Sequence, residues 1–103
     1  MIRICVNKEN DFFKKITFCG HANYADYGSD IVCASVSSVM LCTVNAIYSI
    51  NDKCIKVIEG NDFVIEVLFN DEIVIKLIDN MIRCLESLER QYPKNIKISK
   101  EEE

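Results

Sequence analysis

IVCASVSSVMLCTVNAIYSI, residues 31–50, is the stretch that decides the fold. It contains no charged side chain, and a mostly apolar stripe recurs at steps of three and four residues: Val36, Met40, Thr43, Ile47 and Ile50. The spacing predicts a helix over about residues 31–50, apolar on most sides and central, with Asp30 as its N-cap. The helix is long enough to cross a membrane. Its serines and asparagines and its lack of a basic flank favour a buried core helix instead.

Working outward, a hairpin is predicted on each side of this helix. Residues 2–6 and 12–19 alternate like strands around a turn at residues 7–11, and residues 54–59 and 62–69 do so around Gly60-Asn61. Asn70 or Asp71 is predicted to cap a second helix that ends at Pro93. That helix has an apolar stripe of Val74, Leu77, Ile78, Met81, Leu85, Leu88 and Tyr92.

The order of elements, completed by a short last strand at residues 96–98, indicates the fold class. We expect an α+β fold, a two-layer sandwich with a mostly antiparallel sheet of four to five strands and two helices on one face. The 103 residues are expected to form a single domain over residues 1–103.

Net charge and cysteine usage limit the binding partners and the cellular compartment that we expect. The net charge of −4 argues against nucleic-acid binding, and Lys94, Lys97 and Lys100 are followed by three glutamates in what is expected to be a solvated terminus. We expect no membrane partner. Six cysteines occur without a secretory signal, so free thiols in the cytoplasm are expected.

The segment before the central helix contains residues suited to nucleophilic chemistry. His21, the only histidine, precedes a loop bounded by Gly20 and Gly28, and Cys33 follows in what would be the first turn of the helix. Unpaired backbone N–H groups and the helix dipole at such a position favour a thiolate. A Cys–His pair is the minimum for acyl transfer through a thioester.

Two alternatives remain open at this point. In the first, Cys33 is an inert buried thiol and His21 is a loop residue, and spacing alone favours this interpretation. A zinc site would use Cys19, His21, Cys33 and Cys42, but the chain lacks the second closely spaced ligand pair that structural zinc sites prefer.

The same segment resembles the ribosomal-processing cysteine protease family, Prp. The similarity lies in Gly20-His21-Ala22, in the run from Gly28 through Asp30-Ile31-Val32-Cys33-Ala34, and in Val36-Ser37. One departure is Ser35, where the family has a second alanine. The resemblance reverses the preference for an inert thiol.

The resemblance implies a bacterial, cytoplasmic, cofactor-free homodimer. Such an enzyme removes the short N-terminal extension of ribosomal protein number twenty-seven of the large subunit, cutting after an apolar, phenylalanine-containing motif, and so supports ribosome assembly. His21 and Cys33 would be the catalytic pair, with Gly20, Gly28, Asp30 and Ser37 as supporting or pocket residues. Residues 22–29 are a candidate lid, and the apolar strand face around Phe63 is a candidate dimer surface. A non-catalytic ribosome-associated or peptide-binding protein is the competing function.

Overall fold

The structure is a computed structural model that describes residues 1–20 and 27–102, with the side chains of residues 27–30 excepted. Five strands form one sheet: β1 (Ile2–Glu9), β2 (Phe12–Cys19), β3 (Ile55–Glu59), β4 (Phe63–Val67) and β5 (Ile96–Glu102). The helices are α1 (Tyr27–Ile50) and α2 (Glu72–Gln91). The strand order is β3-β4-β2-β1-β5, antiparallel at each junction except the parallel pair β1–β5. The predicted α+β class is confirmed.

The sheet buries one face against both helices. On β1, Ile2, Ile4 and Val6 are buried while Arg3 is exposed, because successive side chains of a strand point to opposite faces. Ile16 of β2 lies beside Ile65 of β4 on that inner face. These side chains form one core with the buried sides of α1 and α2.

The first hairpin turns more tightly than its sequence predicted. Strand β1 continues to Glu9, so only Asn10 and Asp11 connect it to β2. Both have positive φ, 52° and 67°, which a two-residue hairpin turn requires and which Asn and Asp tolerate better than most residues.

Helix α1 begins earlier than predicted. Its first residue is Tyr27, so the predicted N-cap, Asp30, is the fourth helical residue and not the cap. The expected loop at residues 20–29 therefore loses its last three residues to the helix. The cap preference of Asp30 is a local tendency, which continuation of the helical hydrogen bonds has overridden.

Helix α1 is also less buried than predicted. Its inner side lies in the core through Val32, Val36, Met40, Val44 and Ile47, but Ile50, the last residue of the predicted stripe, is 48% exposed. By length and hydropathy alone, Ile31–Ile50 meets the requirement for a membrane span, yet only 28% of its most apolar window is buried in the protein. The prediction of a helix enclosed on most sides is thus wrong, because two layers can cover only one side of it.

Helix α2 matches its prediction closely. The Asp71 carboxylate accepts hydrogen bonds from the backbone N–H groups of Ile73 (2.9 Å) and Val74 (3.3 Å), which makes it the N-cap. The helix ends at Gln91, two residues before Pro93. Its buried residues belong to the predicted stripe with Ile82 added.

The segment that leads to Glu102 is exposed to solvent, as predicted, but it is a paired strand and not a free terminus. Strand β5 pairs in parallel with β1 up to Glu102. Glu101 accepts a hydrogen bond from the Asn7 amide (3.1 Å), and Glu102 accepts one from the backbone N–H of Asp11 (3.0 Å). Lys100 forms an ion pair with Glu86 of α2. Hydrogen bonds and an ion pair with residues distant in sequence thus order a segment that its own composition would not order.

Candidate active site

A cleft of about 210 Å³ lies at the end of the sheet where β1 begins, β2 ends and β3 turns into β4. Cys33 and Ser37 of α1 and Gly20 after β2 line it, together with an apolar wall and the polar β3–β4 turn. The apolar lining is Ile2, Phe18, Val36, Met40 and Phe63, and the turn contributes Gly60, Asn61 and Asp62.

The register of α1 places Cys33 and Ser37 together. Residues four apart lie on the same helix face, and this face borders the buried stripe of Val32, Val36 and Met40. Cys33 is half-buried and packs against the core, while Ser37 is exposed. Cys33 therefore has an apolar support behind it and an open cleft in front, which suits a nucleophile that must meet a peptide.

Gly20 has a conformation that explains its residue type. Its φ is +80°, and a Cβ at this position would collide with the backbone carbonyl of Met1. Both facts require glycine. The chain thus passes the cleft wall at Gly20 immediately before His21.

Phe18 and Phe63 pack against each other in the apolar wall of the cleft. Their rings meet edge to face, with centroids 6.2 Å apart and planes at 78°, a favourable aromatic geometry. Phe63 therefore lines the cleft and packs against the core, and the dimer surface suggested around it stays a prediction.

The structure brings together three of the six predicted site residues. Gly20, Cys33 and Ser37 line one cleft, while Gly28 and Asp30 lie in the first turns of α1. His21 falls outside the described residues, as does the part of the candidate lid at residues 22–26. The rest of that segment, residues 27–29, is helical.

Cys33 lies further from the start of α1 than the sequence predicted. With α1 starting at Tyr27, Cys33 is the seventh helical residue. The dipole effect is largest at the unpaired N–H groups of the first turn, and Cys33 lies beyond them. Activation of the thiol then depends on a neighbouring base more than on the helix.

The zinc alternative is not supported by the placement of its ligands. Phe18 faces the core, so the next residue, Cys19, points to the opposite face of the sheet from α1. Cys42 lies nine residues beyond Cys33, about 13 Å along the helix. Within residues 1–20 and 27–102, no three His, Cys, Asp or Glu side chains form a group suited to a metal ion.

Cys54 shows how a structural thiol differs from Cys33. It is 1% exposed, and its burial raises the pKa of its thiol, with the negative charge of Asp71 adding to the effect. A buried neutral thiol is a poor nucleophile. Among the six cysteines, Cys54 is thus a core residue.

Sequence reasoning missed most of the cleft wall. Asn61 was assigned to a turn, Phe18 to the second strand, and Asp62 and Phe63 to the strand after the turn, with the face around Phe63 as a candidate dimer surface. No local pattern places them near Cys33, since only the pairing of β2 with β4 brings the hairpin turn to the helix.

Comparison with known proteins identifies the family. The family model described as cysteine protease Prp matches residues 1–97. The chain belongs to the Prp family. It is 31% identical over 103 residues to the ribosomal processing cysteine protease Prp of Staphylococcus aureus, and 32% identical over 108 residues to that of Bacillus subtilis. These alignments cover 95% and 96% of both chains, respectively.

A solved Prp structure supports both the fold and the activity. The S. aureus ribosomal processing protease Prp in complex with a covalently linked product peptide superposes with a TM-score of 0.87 at 26% identity. The match covers 98% of this chain and 100% of that one. Together with the Prp family match, this makes the present chain a cysteine protease of the ribosomal-processing family.

Proposed function

We propose that this chain removes the short N-terminal extension of ribosomal protein number twenty-seven of the large subunit, with Cys33 as nucleophile and His21 as general base. One observation carries the proposal. Cys33 lines the same cleft as Gly20, the residue that precedes His21 in the sequence. The Prp family match supports the choice of reaction and of substrate class.

The mechanism follows from acyl-transfer chemistry. His21 takes the proton of the Cys33 thiol, and the sulfur attacks the scissile carbonyl carbon to form a tetrahedral intermediate. Protonated His21 gives its proton to the leaving amine as the C–N bond breaks. Water, deprotonated by His21, then hydrolyses the thioester and restores the thiol.

Ser37 is the candidate contributor to oxyanion stabilisation. It lies one helical turn from Cys33 and lines the same cleft, which supports a role for its hydroxyl in stabilising the charge that develops on the carbonyl oxygen. The apolar wall of Phe18, Met40 and Phe63 suits a substrate with apolar side chains beside the scissile bond. Asp30 is proposed to support the site from the first turns of α1.

The proposed setting is a single peptidase domain over residues 1–103, acting in the cytoplasm as a homodimer and supporting ribosome assembly. The relatives that match this chain are bacterial ribosomal-processing enzymes, which favours that setting. The proposed reaction consumes the substrate peptide bond and one water, and its catalytic groups are side chains of the protein, with no cofactor.

Incubation with the extended ribosomal protein from the same genome tests the proposal. Mass measurement should show loss of the N-terminal extension with the wild-type chain. Cys33→Ala and His21→Ala should leave the precursor intact while circular dichroism shows an unchanged fold. Cleavage by either variant at close to the wild-type rate contradicts the assigned roles.

A non-catalytic peptide-binding or ribosome-associated protein is the competing function. The two are separated by alkylation of the six thiols near neutral pH, read out by peptide mapping. A catalytic Cys33 reacts faster than Cys84, which is also half-buried. Equal rates at these two sites, together with an intact precursor, favour the binding protein.

A further inference from the structure

A single acidic residue stands out in the lining of the cleft beside Cys33. Among the described residues that line this cleft, Asp62 is the only Asp, Glu, Lys or Arg. Apolar side chains make up much of the remaining wall, with Ser37 and Asn61 as its uncharged polar groups. In pockets of this kind a few placed polar groups decide which ligands are accepted. One carboxylate can therefore distinguish substrates by the charge of one side chain.

The turn that contains Asp62 has a defined position. The backbone N–H of Gly60 donates a hydrogen bond to the backbone carbonyl of Asp62 (3.1 Å), which closes the β3–β4 turn. The next residue, Phe63, pairs with Glu59 of β3, and its ring packs edge to face against Phe18. The Asp62 side chain is thus attached to a backbone that is fixed on both sides, next to the apolar wall.

The Asp62 carboxylate is available to a ligand. Asp62 is exposed, and within residues 1–20 and 27–102 its side chain takes part in no ion pair or hydrogen bond. The lysines of that part of the chain that form ion pairs, Lys14 and Lys100, do so with other acidic residues. A carboxylate of this kind can form a charge-assisted hydrogen bond with a cation that enters the cleft.

We propose that Asp62 is a specificity residue of the peptidase, which binds the ammonium or guanidinium group of a substrate Lys or Arg side chain. The inference rests on the proposed function, since it concerns substrates that Cys33 cleaves. Cys33 and Asp62 line the same cleft, and an extended chain advances about 3.3–3.6 Å per residue. The recognised side chain therefore lies within about three residues of the scissile bond.

The electrostatics of a filled cleft favour a cation at this position. A bound peptide displaces water from Asp62, and the attraction between opposite charges increases as the effective dielectric constant falls. An acidic substrate side chain at the same position would be repelled. The proposed substrate class suits this charge, because proteins that bind nucleic acids contact the phosphates largely through Lys and Arg.

Cleavage of matched peptides tests the proposal. Each N-acetylated peptide has the cleavage segment of the extended ribosomal protein from the same genome. One residue at a time, within about three residues of the scissile bond, is made Lys, Gln or Glu. At one or two positions we expect kcat/KM to be about fivefold higher with Lys than with Gln, and lower with Glu than with Gln. The ratio of Lys to Gln should decrease when salt is raised from about 20 to about 300 mM.

Three variants locate this charge preference in the protein. Asp62→Asn should bring the ratio of Lys to Gln close to one, and Asp62→Lys should make Glu the preferred residue. Glu59→Gln is the matched control, because it removes the same charge from an exposed residue of the same hairpin that does not line the cleft. It should leave the ratio unchanged. Circular dichroism checks that all three variants fold.

The α-amino group at a peptide N-terminus is a second source of the same ammonium charge. Each glutamine peptide is therefore also prepared without its acetyl group. We expect removal of the acetyl group to change kcat/KM much less than the introduction of Lys does. If the free α-amino group has the full effect of Lys and Asp62→Asn abolishes it, recognition of a side chain is contradicted.

Three other results would overturn the inference. One is equal kcat/KM for Lys, Gln and Glu at every position, and another is a preference that Asp62→Asn keeps or that Glu59→Gln removes to the same extent. The third is a loss in Asp62→Asn that is equal for the lysine and glutamine peptides, since Asp62 would then support the reaction and not the recognition of charge.

The failure of the proposed function is a separate result. If the wild-type chain cleaves none of the peptides and leaves the precursor intact, the peptidase assignment is contradicted. The charge preference is then measured as the ratio of Kd values for the lysine and glutamine peptides bound to Cys33→Ala, by fluorescence anisotropy. Equal Kd values would contradict the role of Asp62 as well.

Discussion

The two helices differ in the charge on their exposed sides. Helix α2 has an apolar side in the core and a charged side in water, and Asp71 caps its start. Helix α1 buries a similar stripe, yet from Ile31 to Ile50 it contains no charge on any side. Both pack on the same sheet and against each other, so the fold does not impose this difference.

The comparison shows that the residue types on the exposed side of a helix depend on what that side contacts. The exposed charges of α2 suit water, so burial and capping explain that helix fully. On α1, one edge places Cys33 and Ser37 in the cleft. The other exposed apolar side chains of this helix, among them Leu41 and Tyr48, have no charged neighbour within Ile31–Ile50.

The largest effect expected from this comparison concerns catalysis. Cys33 of α1 and Cys84 of α2 are both half-buried thiols, but only Cys33 lines the cleft. Cys33→Ser should lower kcat/KM for precursor cleavage by at least about 1,000-fold, and Cys84→Ser should change it by less than about twofold. A comparable loss in both variants would remove the distinction between the helices.

The second effect concerns stability and should be equal in the two helices. Ile47 of α1 and Ile78 of α2 are both 0% exposed. Replacing either with Ala should lower the free energy of unfolding by about 2–5 kcal/mol, because the deletion leaves a cavity in the core. Urea denaturation measures it, with Ile73→Ala as the exposed control, expected within about 0.5 kcal/mol. A small decrease in the free energy of unfolding for Ile47→Ala alone would show that α1 is poorly packed against the core.

The third effect distinguishes the starts of the helices. Asp71→Ala removes the carboxylate that accepts from Ile73 and Val74, which should cost about 1 kcal/mol. Asp30→Ala should cost less, because α1 begins at Tyr27 and Asp30 is not its cap. If denaturation gives the larger loss for Asp30→Ala, the helix starts where the sequence predicted.

The smallest effect is a pH dependence near the start of α2. Burial, and then the charge of Asp71, raise the pKa of the Cys54 thiol above its ordinary value of 9.0. Below that value the thiol is protonated in both the folded and unfolded states, and it contributes no pH dependence. Above it the unfolded chain loses the proton first, so stability falls as pH rises towards the folded-state pKa.

Thermal unfolding between neutral pH and about pH 10 measures this slope. Cys54→Ala should lower stability at every pH, since it removes buried volume, but should flatten the alkaline decline. An unchanged decline in the variant would mean that other groups produce it.

Several features followed from the sequence by local rules. Alternation predicted the two hairpins, helical spacing predicted most of the inner stripes of both helices, and N-cap preference limited the start of α2 to Asn70 or Asp71, of which Asp71 is the cap. The motif from Gly20 to Ser37 indicated the family, which the match over residues 1–97 shows. These rules succeed because the deciding contacts lie within a few residues of one another.

The features that the sequence did not disclose depend on distant partners. Strand β5 continues through the terminal glutamates because β1 and the Asn10–Asp11 turn bond to them, and α1 starts a turn before the residue whose preference suggested its cap. Only the pairing of β2 with β4 brings Phe63 and the turn at Gly60 to Cys33. Sequence determined which residues are apolar, reactive or turn-forming. Tertiary structure decided which of them meet, since a contact between residues far apart in the chain is set by packing and not by local preference.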